Sequence, residues 1–305
     1  MIFQGELAAA GIVDPELQRS YTLCKQLNAE HGKTYYLATL LLPKAKRPYV
    51  HALYGFARYA DEIVDNFEEH LTVGERERLL AEFSAEILSD LQRGESSHPV
   101  GAALIHTVTT FAIPHEYFRA FLDSMAMDLT VTSYPDYPAL ERYMYGSASV
   151  IGLQMLPILG TQSDEAKVAA QRLGEAFQLA NFIRDVSEDL DRGRIYLPIA
   201  DLAAFNVSEA DLFTRTLTPE LRKALAFQIE RVRRLQREAE AGIELLDPVS
   251  RPCIRAASEL YCGIVDEVEK IDYQIFQRRA KTSTARRIRV ALPAALQAVW
   301  ARIRF

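Results

Sequence analysis

This chain has few of the residues and runs that would mark an exported, membrane-spanning or β-rich protein. Its three cysteines, Cys24, Cys253 and Cys262, are too few and too scattered in 305 residues for a disulfide framework, and they lack the paired spacing of a zinc site. A reducing, cytoplasmic setting fits them. The opening residues MIFQGELAAAGIVDPE hold no basic n-region and no long apolar run, and no later stretch offers eighteen apolar residues free of proline or charge. Neither secretion nor a spanning helix is expected. Strand signals are nearly absent, no repeat or low-complexity linker appears, and no GxGxxG follows a strand to mark a nicotinamide site. The net charge of -6 argues against general nucleic-acid binding.

What is present is an ordinary globular composition, 49% hydrophobic and 25% charged, with enough apolar mass for a large core. All-helical enzymes with one core reach this length, so a single domain over 1–305 is expected. Proline follows a cap residue at Asp14-Pro15, His98-Pro99 and Thr218-Pro219, and Gly94 closes a charged segment. Helices are expected at roughly 15 to 29, 33 to 42, 46 to 67, 73 to 93, 99 to 111, 115 to 132, 138 to 158, 163 to 191, 219 to 246, 252 to 278 and 285 to 303. The fold class is therefore all-α. One long irregular stretch is expected from Arg192 to about Asn206, where Gly193 and Pro198 break the preceding helix.

Two of these helices carry paired carboxylates. In YGFARYADEIVDN, Tyr54, Arg58, Asp61 and Asp65 fall within about 60° on one helical face, beside an apolar stripe of Leu53, Phe56, Ala57, Ala60, Ile63 and Val64. Alone, such a DxxxD is more often a solvated face with i,i+4 charges. A second copy changes that reading. In FQLANFIRDVSEDLDRGR, Gln178, Asn181, Asp185 and Asp189 lie within about 80°, again beside an apolar stripe. Asn181 offers a neutral oxygen to a hard cation, and Arg184 and Glu188 are placed to brace the carboxylates. Carboxylates converging on a partly apolar cavity repel unless cations neutralise them, and magnesium takes phosphate oxygens as further ligands. The pattern points to a diphosphate substrate, with repulsion that nearby arginines are not expected to cancel.

DEIVD after an arginine, and NFIRDVSEDLDRGRIYLP, resemble the two aspartate-rich motifs of the squalene and phytoene synthase family, with RGRIYLP most similar to the phytoene synthase branch. The likeness runs from about His31 to Arg278. It implies a class I terpenoid synthase-like helical bundle around a central cavity, with Asp61, Asp65, Asn181, Asp185 and Asp189 as ligands of Mg2+, or alternatively Mn2+. HGKTY resembles the segment usually written HSKSF. Thr34 keeps one of its hydroxyls, whereas Gly32 replaces a serine and offers at most a backbone N–H. By the same resemblance Tyr54, Arg58, Tyr145, Tyr196 and Tyr261 are expected to act in catalysis. Thr34, Arg58, Gln178, Asn181, Arg184 and Arg278 are expected to bind substrate, although Arg279 adjoins Arg278.

The resemblance implies head-to-head joining of two geranylgeranyl diphosphates through a prephytoene-type cyclopropane, ending by proton loss without NADPH. Aromatic and small residues in 143 to 160 are expected to line a dry cavity. The alternatives are a squalene, dehydrosqualene or presqualene diphosphate synthase using farnesyl diphosphate, and a noncatalytic assembly or scaffold member. The tail has eight basic residues from Arg278 onward and no acid, mixed with Val, Leu, Trp, Ile and Phe. Peripheral membrane contact through 279–305 is expected from it, against a terminal helix docked on the body with its charges solvated.

Overall fold

The computed structural model describes residues 2–65 and 71–304. Among them the chain forms α1 (Ile2–Ala9), α2 (Pro15–His31), α3 (Lys33–Thr39), α4 (Arg47–Asp65), α5 (Val73–Arg93), α6 (Gly101–Phe111), α7 (His115–Thr130) and α8 (Tyr137–Met144). A π-helical turn (Tyr145–Ser149) leads into α9 (Val150–Leu159) and the long α10 (Asp164–Asp191). Then follow α11 (Ile199–Ala204), α12 (Glu209–Phe213), α13 (Pro219–Glu240) with a 3-10 turn (Ala241–Leu245), α14 (Arg251–Cys262), α15 (Ile264–Lys270) and α16 (Thr284–Arg304). No strand occurs among the described residues, as the helical patterning predicts; there is a single bridge between Ser133 and Ile195. Positions 66 and 67 of the helix expected over 46 to 67 lie outside the described residues.

Local signals account for most boundaries. Asp14 and Thr218 accept from the backbone N–H groups of Leu17 and Leu221 ahead of their prolines, and Gly94 ends α5 at φ 79°. Thr72 and Glu75 form a reciprocal capping box at the start of α5. At α10, Ser163 caps the first turn and Gly193, at φ 71°, stops the last.

Buried side chains form two main clusters. One gathers α2, α4 to α7 and α9 around Tyr21, Phe56 and Phe118; the other gathers α8, α10 and α13 around Leu140, Leu179 and Leu225. Phe177 of α10 packs against both, so the helix carrying the second aspartate pair runs between them.

Four departures from the sequence reading have physical causes. Helix α1 was not expected, and it is held by the fully buried Glu6, which pairs with Lys25 at 2.6 Å and Arg47 at 2.9 Å. The stretch after Arg192 contains α11 and is fastened to the segment that follows α7 by Ile195 N–H donating to Thr132 and Ile199 N–H to Tyr134. The helix expected over 138 to 158 is interrupted at Tyr145–Ser149, where Gly146 lies so close to α7 that a Cβ would fall 2.0 Å from Ser124 Oγ. The helix expected over 252 to 278 breaks at Gly263, against which the Arg286 guanidinium is wedged, and ends at Lys270, with Asp272 and Tyr273 at positive φ. That early end turns the following segment back over α10.

Candidate active site

The two aspartate pairs meet at one cavity of about 800 Å³. Asp61 and Asp65 come from α4, Asp185 and Asp189 from α10, and Asp128 from α7 joins them in the wall. Away from this acidic end the lining is apolar, with Leu53, Phe121, Ile151, Met155, Leu173 and Ile254 among many small residues. Of the 143 to 160 segment, Tyr143, Ser147, Ala148, Ile151, Gly152, Met155, Leu156 and Leu159 line it.

Arginines interleave with the carboxylates. Arg58 donates to Asp61 at 2.9 Å; Arg192 and Arg194 approach Asp65 at 3.3 and 3.5 Å. Asp185 is gripped by Arg184, whose Nε lies 2.6 Å from Oδ1, and by Arg279 Nε at 2.9 Å; Arg279 also reaches Glu188 at 3.3 Å. Five arginines therefore line the cavity beside five aspartates. Diphosphates entering this balanced site bring negative charge that these arginines, already paired, do not neutralise.

Three of these carboxyls are displaced from their ordinary range, and not in one direction. Burial, then the neighbouring Asp65, pushes Asp61 up to about 6 against the pull of Arg58. Its side chain is 47% exposed, but to the cavity, where protein encloses it. Burial and the adjoining Asp185 likewise raise Asp189 to about 7. Burial would raise Asp185 too, but the Arg184 and Arg279 guanidiniums outweigh it and hold that carboxyl below its ordinary range.

Asp128 organises an aromatic wall. It accepts the Tyr143 hydroxyl at 2.7 Å and the Tyr196 hydroxyl at 2.9 Å, and its backbone carbonyl accepts from Arg194. Burial raises its carboxyl, with the two tyrosines and Arg194 pulling the other way. Tyr196 stacks on Phe182 with centroids 4.1 Å apart, and Tyr143 lies 5.7 Å from Tyr196. The sequence singles out neither Asp128 nor Arg194, and it marks Tyr143 only as one of the aromatic residues of 143 to 160. Asp128 sits in MAMDLT with no second carboxylate at helical spacing to single it out, whereas Arg194 stood inside the quoted RGRIYLP and was open to notice.

The expected residues divide as follows. Thr34, Tyr54, Arg58, Gln178, Asn181, Arg184, Tyr196 and Tyr261 all line the cavity together with the four paired aspartates. Tyr145 does not: it is 41% exposed, and two residues beyond Tyr143 on a helix place it nearly opposite. Arg278 does not either. It is exposed, and because the helix ends at Lys270 the non-helical segment presents Arg279 to Asp185 instead. The Gly32 N–H is already used, donating to the Asn28 carbonyl at 2.9 Å, and a Cβ at Gly32 would lie 2.6 Å from the Tyr54 ring. The serine hydroxyl of the HSKSF pattern has no space in this chain as long as Tyr54 keeps that position.

The donor set suits a hard divalent cation. Besides the carboxylates, the Oδ1 atom of Asn181 is buried without a hydrogen-bond partner, one turn before Asp185 on the same face. Among the described residues no three His, Cys, Asp or Glu side chains converge as a ready-made cage; the four paired aspartates face the cavity from two helices.

Comparison with known proteins agrees with this geometry. The family profile for squalene/phytoene synthase matches residues 28–286. A phytoene synthase from Arthrospira platensis is 37% identical over 289 residues, 90% of this chain and 92% of that one. A 15-cis-phytoene synthase from Synechocystis sp. is 34% identical over 284 residues, 89% and 83% of the two chains. Among solved structures, a dehydrosqualene synthase in complex with ligand superposes with a TM-score of 0.84 at 27% identity, covering 92% of this chain and 96% of that one. A squalene synthase from Alicyclobacillus acidocaldarius gives 0.79 at 27% identity, covering 87% and 98%. With the profile spanning most of the chain and the relatives matching it nearly end to end, this protein belongs to the squalene/phytoene synthase family.

Proposed function

We propose that the chain is a phytoene synthase, a prenyl transferase of carotenoid biosynthesis that joins two geranylgeranyl diphosphates head to head through prephytoene diphosphate and releases diphosphate. The observation that carries this reading is one continuous cavity with an apolar body and an acidic, arginine-rich end, in a chain 34% to 37% identical to phytoene synthases over about nine-tenths of its length. A noncatalytic scaffold would have no need for both aspartate pairs and the unpartnered Asn181 oxygen around one cavity.

Asp61, Asp65, Asn181, Asp185 and Asp189 would hold magnesium, or manganese, which when bound supplies Lewis-acid charge to the departing diphosphate. Arg58, Arg184, Arg192, Arg194 and Arg279 offer forked donors to phosphate oxygens once their carboxylate pairs open. Tyr54, Tyr196 and Tyr261 present rings and hydroxyls between this end and the apolar body, suited to orient the leaving group and face a carbocation. The apolar walls exclude the water that would trap such a cation. Thr34 and Gln178 are placed to position substrate. Proton loss ends the path, so no NADPH is needed. The substrates are prenyl diphosphates, the working unit is one domain over 1–305, and the setting is cytoplasmic, with membrane contact through the basic tail; no described helix is long and apolar enough to cross a membrane.

The likeness to a dehydrosqualene synthase favours farnesyl diphosphate as the second reading. Purified protein with geranylgeranyl diphosphate and magnesium, without NADPH, is expected to yield phytoene, and EDTA to stop the reaction. Parallel assays with farnesyl diphosphate, with and without NADPH, distinguish squalene, dehydrosqualene and presqualene diphosphate. Clear preference for the fifteen-carbon substrate in competition overturns the phytoene assignment.

A further inference from the structure

We infer that the outer face of α16 is a docking surface for an anionic lipid bilayer, which holds the cavity-lining helix α3 beside the membrane. The helix lies on the body through Val290, Ala294, Ala298 and Ala301, all buried, with Val290 and Ala294 packed against α14 residues Ala256 and Leu260. Its opposite side is apolar and open: Ile288, Leu292, Leu296, Val299, Trp300 and Ile303 are each 53% to 80% exposed. At about 100° per residue these six fall within an arc of about 120°, with Arg302 at one margin and Arg289 and Arg304 toward the other. A docked helix with solvated charges would not place a continuous apolar stripe in water.

Charge and chemistry single out the occupant. Asp272 is the last acid in the chain, and the eight basic residues after position 277 leave 27 of the 35 Lys and Arg for the rest of the molecule, against all 41 Asp and Glu. Of those eight, Arg279 and Arg286 pair with Asp185 and Asp266 on the body, while Arg289 and Arg304 lie along one side of the stripe, so the stripe is an apolar surface bordered by arginines at the basic end of an otherwise acidic protein. That combination fits the boundary between acyl chains and anionic headgroups, with tryptophan at headgroup depth. A second copy is a poor match: α16 contains no acid, so a two-fold pairing of stripes sets arginine edges against arginine edges.

The stripe is mechanically tied to the cavity. Arg302 donates to the carbonyls of Leu41 and Leu42, and Leu41 also packs beside Val290 and Ala294. Leu41 lies two residues beyond the end of α3, whose Lys33, Thr34, Tyr35, Ala38 and Thr39 line the cavity, and whose Leu37 is itself 52% exposed. Docking by α16 therefore brings a wall of the cavity close to the phase in which long prenyl chains dissolve. This last point rests on the proposed function, because it needs lipid substrate and product.

Trp300 is the only tryptophan in the chain, so its emission reports on the stripe alone. With the full chain and no substrate, phosphatidylglycerol vesicles are expected to shift Trp300 emission to the blue and to carry the protein in flotation, both weakening with added salt, whereas phosphatidylcholine vesicles do neither. Leu292→Glu with Leu296→Glu should weaken vesicle binding by at least about tenfold, and Arg289→Glu should lower it while reducing its salt dependence. Circular dichroism and turnover of detergent-dispersed geranylgeranyl diphosphate are expected to be unchanged in these variants. Unshifted Trp300 emission, equal binding by the double variant, or a concentration-dependent dimer that the double variant abolishes in place of vesicle binding would overturn the inference. Failure of the turnover assay with intact vesicle binding would instead remove the phytoene reading.

Discussion

Arg279 donates its Nε to Asp185 at 2.9 Å from ninety-four positions further along the chain, while the adjoining Arg278 is exposed and outside the cavity. Arg279→Ala is accordingly expected to lower kcat/KM by at least about tenfold through loss of a phosphate-competent guanidinium. Arg278→Ala should stay within about twofold of the parent in the same steady-state assay. Equal losses from both variants would contradict this assignment.

Asp61→Asn and Asp185→Asn each remove a charged ligand from a site that has to support ionisation. Turnover should fall by at least about a hundredfold, with helix content by circular dichroism nearly unchanged. Near-normal rates would return these carboxylates to the role of a solvated helix face.

The raised carboxyl of Asp189 gives a pH-dependent signature in metal-free protein. Its native value of about 7 lies above the ordinary 3.8, so between those values the folded state binds more protons than the unfolded one, and stability falls as pH rises through that window. Asp189→Asn, which has no charge to bury, should be increasingly more stable than the parent from pH 4 to 7 and hold a constant advantage above. Melting temperatures of the two proteins in EDTA across that range provide the check; a difference independent of pH would contradict it.

Tyr143 and Asp128 are coupled by a part-buried hydrogen bond, so Asp128→Ala leaves the Tyr143 hydroxyl without that acceptor. A loss of about 1–3 kcal/mol in chemical denaturation is expected, with turnover reduced as well because Tyr196 loses the same partner. Tyr145→Ala, at an exposed position outside the cavity, should leave turnover near that of the parent.

Much of this site could be read from the sequence because helical periodicity is a local rule. Asp61 and Asp65, like Asp185 and Asp189, share a face by spacing alone, and the apolar stripes beside them already implied that the faces border the interior. What spacing cannot convey is which residue a non-helical segment delivers. Arg278 and Arg279 are adjacent in sequence, and only the stop at Lys270 and the positive φ angles of Asp272 and Tyr273 decide between them. Asp128 was hidden for a related reason: its partners Tyr143, Tyr196 and Arg194 come from other segments, and no local pattern announces a contact made 15 to 68 residues away. Tyr145 was misplaced because a motif match gives position without orientation.

The wide turn at Tyr145–Ser149 shapes one wall of the cavity. Tyr143, Ser147, Ile151, Met155 and Leu159 recur every fourth residue and all line the cavity. On an uninterrupted α-helix such a series advances by about 40° at each step, and would coil away around the axis like the stripe on a barber's pole. A π-helical turn winds less per residue and takes back part of that drift. Residues on the two sides of the turn thus stay closer to one line along the cavity wall than an unbroken α-helix would hold them.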